Sequence, residues 1–262
     1  MFKALFTSAS GLQCQQAYID TIANNLANVN TNGFKASQLN FQDLLYDHQV
    51  MPGTEATEGY QVPTGLEIGS GVRIVSSAKL FRQGELEQTG RELDLSIQGP
   101  GFFRVQQADG TIAYTRDGAF GLDGQRRIVT PDGRPLADNI TIPSNATTII
   151  VASDGRVYAT IGSSTEQQAV GAITLASFAN PAGLKSIGDN LYVETVASGA
   201  ATTNTPGQNG VGVIRQGYLE RSNVDVVSEL VRLITAQRAY EVNTKAIRIA
   251  DEMLQQSNAL VR

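Results

Sequence analysis

Few side chains in this chain are equipped for catalysis. Its one cysteine is Cys14 and its one histidine is His48. A nucleophile–base pair needs a thiol or hydroxyl held beside an imidazole. His48, however, lies in the polar stretch YDHQVMPG ahead of Pro52, and Cys14 falls on the polar side of a helical segment. The same scarcity excludes a zinc site built on the usual Cys and His ligands. The 25 Asp and Glu residues could supply a glycosidase-type carboxyl pair, yet none stands apart from ordinary surface residues. The glycine-rich GPGFF (99–103) and GQNGVG (207–212) lack the phosphate-cradling spacing of a strand-to-helix turn. The expectation is a chain with no catalytic, cofactor-binding or metal-binding residues, and no cofactor.

The residues that do cluster are amides. ANNLANVNTNGFKAS (23–37) carries Asn24, Asn25, Asn28, Asn30 and Asn32, closed by Gly33, and Gln13, Gln15 and Gln16 precede them. Asp20 is the sole charge between Lys3 and Lys35. A helix with one wet face normally displays Lys and Glu there. Amides instead exchange hydrogen bonds on any side without the cost of burying a charge. The predicted chemistry is therefore hydrogen bonding between subunits through Asn24, Asn25 and Asn28, with Gly33 supplying the left-handed turn that ends the helix.

Helical and β elements must position these groups. Leu5, Leu12, Ile19 and Leu26 recur every seven residues and predict a helix over about 3–28. Val226, Leu233, Tyr240, Ile247, Leu254 and Val261 repeat the pattern and predict a second over 222–260, with Ser222 and Asp225 at capping-box spacing. This second helix balances Arg232, Arg238, Lys245, Arg248 and Arg262 against Asp225, Glu229, Glu241, Asp251 and Glu252. The expected subunit interface is Leu5, Leu12, Ile19 and Leu26 on one helix, with Leu233, Tyr240, Ile247 and Leu254 on the other. Between the helices the pattern turns to period two. Strands are predicted at 72–81, 92–99, 102–105, 112–120, 147–162 and 173–178, with turns at Pro100-Gly101 and at Asp-Gly pairs including 109–110 and 154–155. Two stretches read as loosely ordered: 46–65, with Pro52-Gly53 and Pro63-Thr64-Gly65, and the small-residue run 197–210.

The 262 residues are 41% hydrophobic and 17% charged, against a usual charged share of roughly a quarter. So low a share predicts a surface covered by other protein. A net charge of −5 and a pI of about 5.0 offer no basic stripe for nucleic acid. No apolar run has the length of a signal peptide or the ~18 residues of a membrane span. The predicted route is export without a cleaved leader, with no membrane insertion.

SGLQ…IANNLANVNTNGFKAS at the front, LERSNVDVVSELVRLITAQRAYEVNTKAIRIADEML at the back and IQGPGFFRV…GTIAYTRDGAF between them resemble the bacterial flagellar basal-body rod protein family over essentially the whole chain. Residues 44–73 resemble the insertion of its distal-rod member. The resemblance implies an α+β fold in three layers. Residues 1–35 with 222–262 would form an inner coiled coil, 36–95 with 197–221 a connecting β region bearing the 46–65 loop, and 96–196 an outer all-β domain. It implies a structural, non-enzymatic subunit of the distal rod that transmits torque to the hook and forms part of the export channel. The implied partners are further copies of the chain, the proximal rod proteins, the hook protein, the P-ring and L-ring proteins and the rod cap protein, in a basal body spanning the periplasm. A proximal rod subunit of similar length is the alternative within the family. A periplasmic polysaccharide hydrolase or a self-associating adhesin are the alternatives outside it. Axial subunits are usually poor in cysteine, so Cys14 departs from the pattern, and an unpaired thiol in an oxidising compartment could cross-link neighbours.

Overall fold

The computed structural model describes residues 2–53, 55–57, 60–61, 63–162 and 167–260. The fold is α+β: helix α1 (Phe2–Ala27) opens it, helix α2 (Val226–Leu260) closes it, and strands fill the span between. Val261, the last position of the predicted heptad series, lies outside the described residues. The chain divides into two compact units. One holds Met1–Leu26, Ser37–Ala78 and Asp225–Arg262, and the other holds Ala27–Ala36 and Lys79–Val224.

In the helical unit, α2 starts later than the sequence suggests. Asp225 caps it, its Oδ1 accepting from Val227 N at 3.1 Å and its Oδ2 from Ser228 Oγ at 2.6 Å. Ser222 does not cap the helix; its Oγ accepts from Val224 N one turn early. Strand Ser37–Asp43 runs back along α1. Asn25 meets Ser37, Tyr18 stacks edge-on against Phe41 with ring centroids 5.8 Å apart, and Lys3 pairs with Asp47. Tyr18 and Asn25, seven apart on α1, thus face Phe41 and Ser37, four apart on the strand. Cys14, expected on a polar face, is buried in this packing and its Sγ donates to Val72 O at 3.6 Å. Burial pushes the thiol pKa up, which lowers its thiolate fraction.

The stretch 46–65 also differs from expectation. Tyr46–Val50 pairs with Leu66–Gly69, and Glu55–Thr57 with Tyr60–Gln61, in an antiparallel ribbon whose base is closed by Leu44 N donating to Gly71 O. Val50, Leu66 and Ile68 are exposed. A ribbon that buries neither face needs no alternation of apolar and polar residues, so period-two reading misses it.

The second unit is a β body around the sheet Lys185–Gly188, Leu191–Val193, Ile112–Thr115, Phe102–Gln106, Leu175–Ser177 and Thr202–Asn204, in that order. Adjacent phenylalanines show the pleat. Phe103 enters the larger core and meets Phe120 edge-on at 5.1 Å, while Phe102 joins Phe81, Phe178 and Tyr192. Ala146–Val151, Arg156–Ile161 and Gln167–Ala172 add a three-stranded meander, turning at Asp154-Gly155 as predicted. The run 197–210, read as loose, contributes strand Thr202–Asn204 to the sheet edge. Its small polar side chains carry no burial pattern; backbone pairing holds it there, with Arg104 donating to Thr203 Oγ1 and Asn204 Nδ2 to Ser177 Oγ.

Gly118 is the tightest point of the β body. Its C=O accepts from both Leu95 N and Phe120 N at 2.9 Å, and a Cβ would lie 1.5 Å from Leu95 O. Gly118→Ala should therefore displace Leu95–Gln98 from the core and abolish the cooperative thermal unfolding of the β body, observable by circular dichroism. A retained melt would show that the backbone yields there.

Candidate functional site: a terminal clasp and two helix faces

The segments that flank the helices in sequence meet in the β body. Helix α1 ends at Ala27, so Gly33 is not its cap. It is left-handed, at φ 68°, for another reason: a Cβ would lie 2.6 Å from Arg116 C and Asp117 N. Gly33 N donates to Glu220 O at 2.7 Å, Asn190 Nδ2 to Asn32 O at 3.1 Å, and Ala36 N to Asn223 Oδ1 at 2.8 Å. The Asn223 amide donates in turn to Leu80 O and Arg82 O.

Behind this backbone lies an ion cluster. Lys35 and Glu220 side chains are fully buried, with Lys35 Nζ 2.6 Å from Glu220 Oε1 and 2.8 Å from Arg82 O. Arg116 donates to Glu220 Oε2 at 3.3 Å, to Ile97 O at 3.3 Å and to Gly99 O at 2.6 Å, while Gly84 N donates to Glu220 Oε1. Burial lowers the Lys35 and Arg116 pKa values and Glu220 opposes the shift in each. Burial also pushes the neighbouring Tyr192 hydroxyl up to about 12. Two cations and one carboxylate leave an excess positive charge, and the three carbonyls solvate it.

The other predicted site residues lie in the helical unit. Asn25 is buried and forms a reciprocal pair with Ser37, its Nδ2 donating to Ser37 O and its Oδ1 accepting from Ser37 N, both at 2.9 Å. Its amide is thus engaged within the chain, on strand Ser37–Asp43. Asn28 Oδ1 accepts from Thr31 Oγ1, and Asn24 stays on an exposed face. Leu5, Leu12, Ile19 and Leu26 are half-buried, as are Leu233, Ile247 and Leu254, while Tyr240 is more open. Ala236 and Ala250 are buried between them, and Asn243 Nδ2 lies 3.1 Å from where a Cβ on Gly11 would stand, so α1 and α2 touch there. A second stripe on α2 escaped the sequence reading. Val227, Val231, Ile234, Val242, Ile249 and Met253 are exposed, Val227 by 70% and Val242 by 67%. Their own seven-residue intervals, 227 to 234 and 242 to 249, were the available signal. Pro52, Gly53 and Pro63 are exposed in the ribbon, and Gly65 fits under Val50 O, 2.5 Å from where its Cβ would stand.

His48 sits on the ribbon with Nδ1 3.1 Å from Glu67 Oε1. Among the described residues no group of His, Cys, Asp or Glu has the arrangement of a metal site, and no helix is long and apolar enough to cross a membrane.

These features define an assembly subunit whose terminal segments are built into its β domain. Three family models match, in chain order: "Flagella basal body rod protein" over 5–35, "Flagellar hook protein FlgE/F/G D1 domain" over 96–159 and "Flagellar basal body rod FlgEFG protein C-terminal" over 215–260. The class is that of the rod and hook proteins of the bacterial flagellum. Among similar proteins, the flagellar basal-body rod protein FlgG of Buchnera aphidicola subsp. Schizaphis graminum is 47% identical, covering 99% of this chain and 100% of its own. That of Caulobacter vibrioides is 47% identical over 98% and 99%, and that of Borreliella burgdorferi 44% over 100% of both. The chain belongs to the flagellar basal-body rod protein FlgG family, and is a structural subunit of the flagellar rod. Lys35, Arg116 and Glu220 each fall in one of the three stretches that carried the resemblance, so the clasp is where those stretches converge.

Asp117, whose backbone flanks Gly33, provides a pH test of this region. Burial, Asp132 and Asp94 raise its carboxyl pKa, against a hydrogen bond from Ala119 N. A raised folded-state pKa favours folding while the group keeps its proton, and that advantage is lost as pH rises from the unfolded value through the folded one. Asp117→Asn keeps an acceptor for Ala119 N and removes the charge. Its melting temperature relative to wild type should therefore climb between about pH 4 and pH 7, as differential scanning calorimetry would show. A pH-independent difference would mean that Asp117 carries no such penalty.

Proposed function

We propose that the chain polymerises into the distal rod, with α1 and α2 as an inner coiled coil, a connecting β region around it and an outer β domain. The observation that carries this reading is the second apolar stripe of α2, left wet while the first packs within the chain. A surface helix has one apolar stripe, so a second is a seat for another copy. Residues 1–35 with 222–262 would line the export channel, 36–95 with 197–221 would connect, and 96–196 would face the periplasm. The proximal rod, hook, P-ring, L-ring and rod cap proteins are its partners in the basal body.

Two substitutions separate pairing within the chain from assembly. Ile247→Asp places a carboxylate in the half-buried seam, at a cost of several kcal/mol, and should prevent both. Val242→Asp alters an exposed position, so the monomer should melt as wild type does. Cells carrying it should export the subunit yet show no distal rod by electron cryotomography. Normal rods in the Val242→Asp strain would remove the second stripe from the interface.

The ribbon over 46–65 serves a different end in this reading: wedged between neighbouring copies, it would stiffen the rod by blocking sliding. Leu44 and Gly71 already bond at its base, so residues 45–70 can be replaced by an Asn-Gly turn. The shortened subunit should fold and be exported, and its polymers should be curved or flexible in electron micrographs. Straight polymers would leave the ribbon without a mechanical role.

A further inference from the structure

Residues 31–36 are bound to the β body as a ligand is bound to a site. In sequence they lie between α1 and strand Ser37–Asp43, yet Gly33, Phe34, Lys35 and Ala36 are all buried. The described hydrogen-bond partners of their polar groups within the β body are Lys79, Leu80, Arg82, Asn190, Glu220 and Asn223. None of these six belongs to α1, to α2 or to the ribbon. Melting the helices would remove no bond from this seat. Recognition is specific: a left-handed glycine passes where no Cβ fits, an aromatic ring lies 4.7 Å under the Lys79 ammonium, and a lysine enters to meet a buried carboxylate.

We propose that residues 31–36 form a latch that is docked on the β body in the unassembled subunit, independently of the helices. The proposal rests on the assembly reading above, in which α1 and α2, only marginally held by their pairing within the chain, gain lasting order from neighbouring copies. Gly33 bonds Glu220, and Val29 packs with Phe34, Ala36 and Val224, so a docked latch holds the chain ends entering both helices side by side. Helices tethered at adjoining points meet as an intramolecular event, at a high effective concentration. The latch thereby limits the search that pairing needs at the growing end of the polymer.

Hydrogen exchange with mass spectrometry on the full chain, at a concentration where light scattering shows monomer, tests this. Peptides over 31–36 should be protected as well as those over Phe102–Gln106, while α1 and α2 exchange at once. Lys35→Met leaves Glu220 without one buried partner, and should speed exchange over 31–36 by roughly a hundredfold or more without moving Phe102–Gln106. Exchange of 31–36 together with α1 in wild type overturns the latch, as does unchanged protection in Lys35→Met. If α1 is itself protected in the monomer, the waiting-helix reading fails and the response to Lys35→Met alone decides the latch. Should that variant not fold, Asn190→Ala, which removes the bond to Asn32 O, replaces it: faster exchange of 31–36 supports the latch, and no change overturns it.

Discussion

A carboxylate sealed from water between a lysine and an arginine needs most of the polar groups around it to be met as well. Glu220 accepts from Lys35, Arg116 and Gly84 N, and the two cations also donate to the carbonyls of Arg82, Ile97 and Gly99, while Arg116 Nε has no partner among the described residues. Such a cluster adds little net stability against an apolar core, but it punishes misplacement, because removing one partner strands a buried charge. It therefore acts on register. Glu220 lies opposite Leu86 in the pair formed with Leu86–Gln88, and a slip of one residue would put Leu219 among the charges. The placement of the chain on either side of both helices follows from this constraint.

The two compact units meet their burial requirements differently. The β body seals two cores: Leu95, Ile97, Phe103, Val105 and Leu175 are buried in one, and aromatic rings fill the other. The helical unit is unsaturated. The outer stripe of α2 remains wet, as do Phe6 and Met51, and the ribbon exposes apolar groups on strands that bury little. A two-stranded ribbon and lone helices are marginal in water. A rod subunit is suited by this division, since one part can fold alone while the other gains its remaining burial from neighbours.

The charge-poor front helix acquires a more divided explanation than composition suggests. Amides were read as groups for neighbouring subunits, yet Asn25 uses its amide as a β-strand would, pairing with both backbone groups of Ser37. An amide can do this because it carries donor and acceptor together, as the peptide group does. A charged side chain at that position would meet only half of the pair.

The sequence by itself determined the two helices, the β-rich middle, its Asp-Gly turns and the family. These rest on local signals, namely the seven-residue recurrence, period-two alternation and left-handed turn residues. Family motifs are local strings as well. Only the tertiary structure decided that the ribbon over 46–65 is paired and that Cys14 is buried. It also showed that Asn25 is spent within the chain and that a second apolar stripe on α2 lies open. It alone brought Lys35, Arg116 and Glu220 to one point. Each of those outcomes depends on what stands opposite a residue across a long loop of chain. Lys35 and Glu220 are 185 positions apart, and no periodicity links them; a lysine that reads as a solvated charge is buried only because a carboxylate from the far end of the chain is there to receive it.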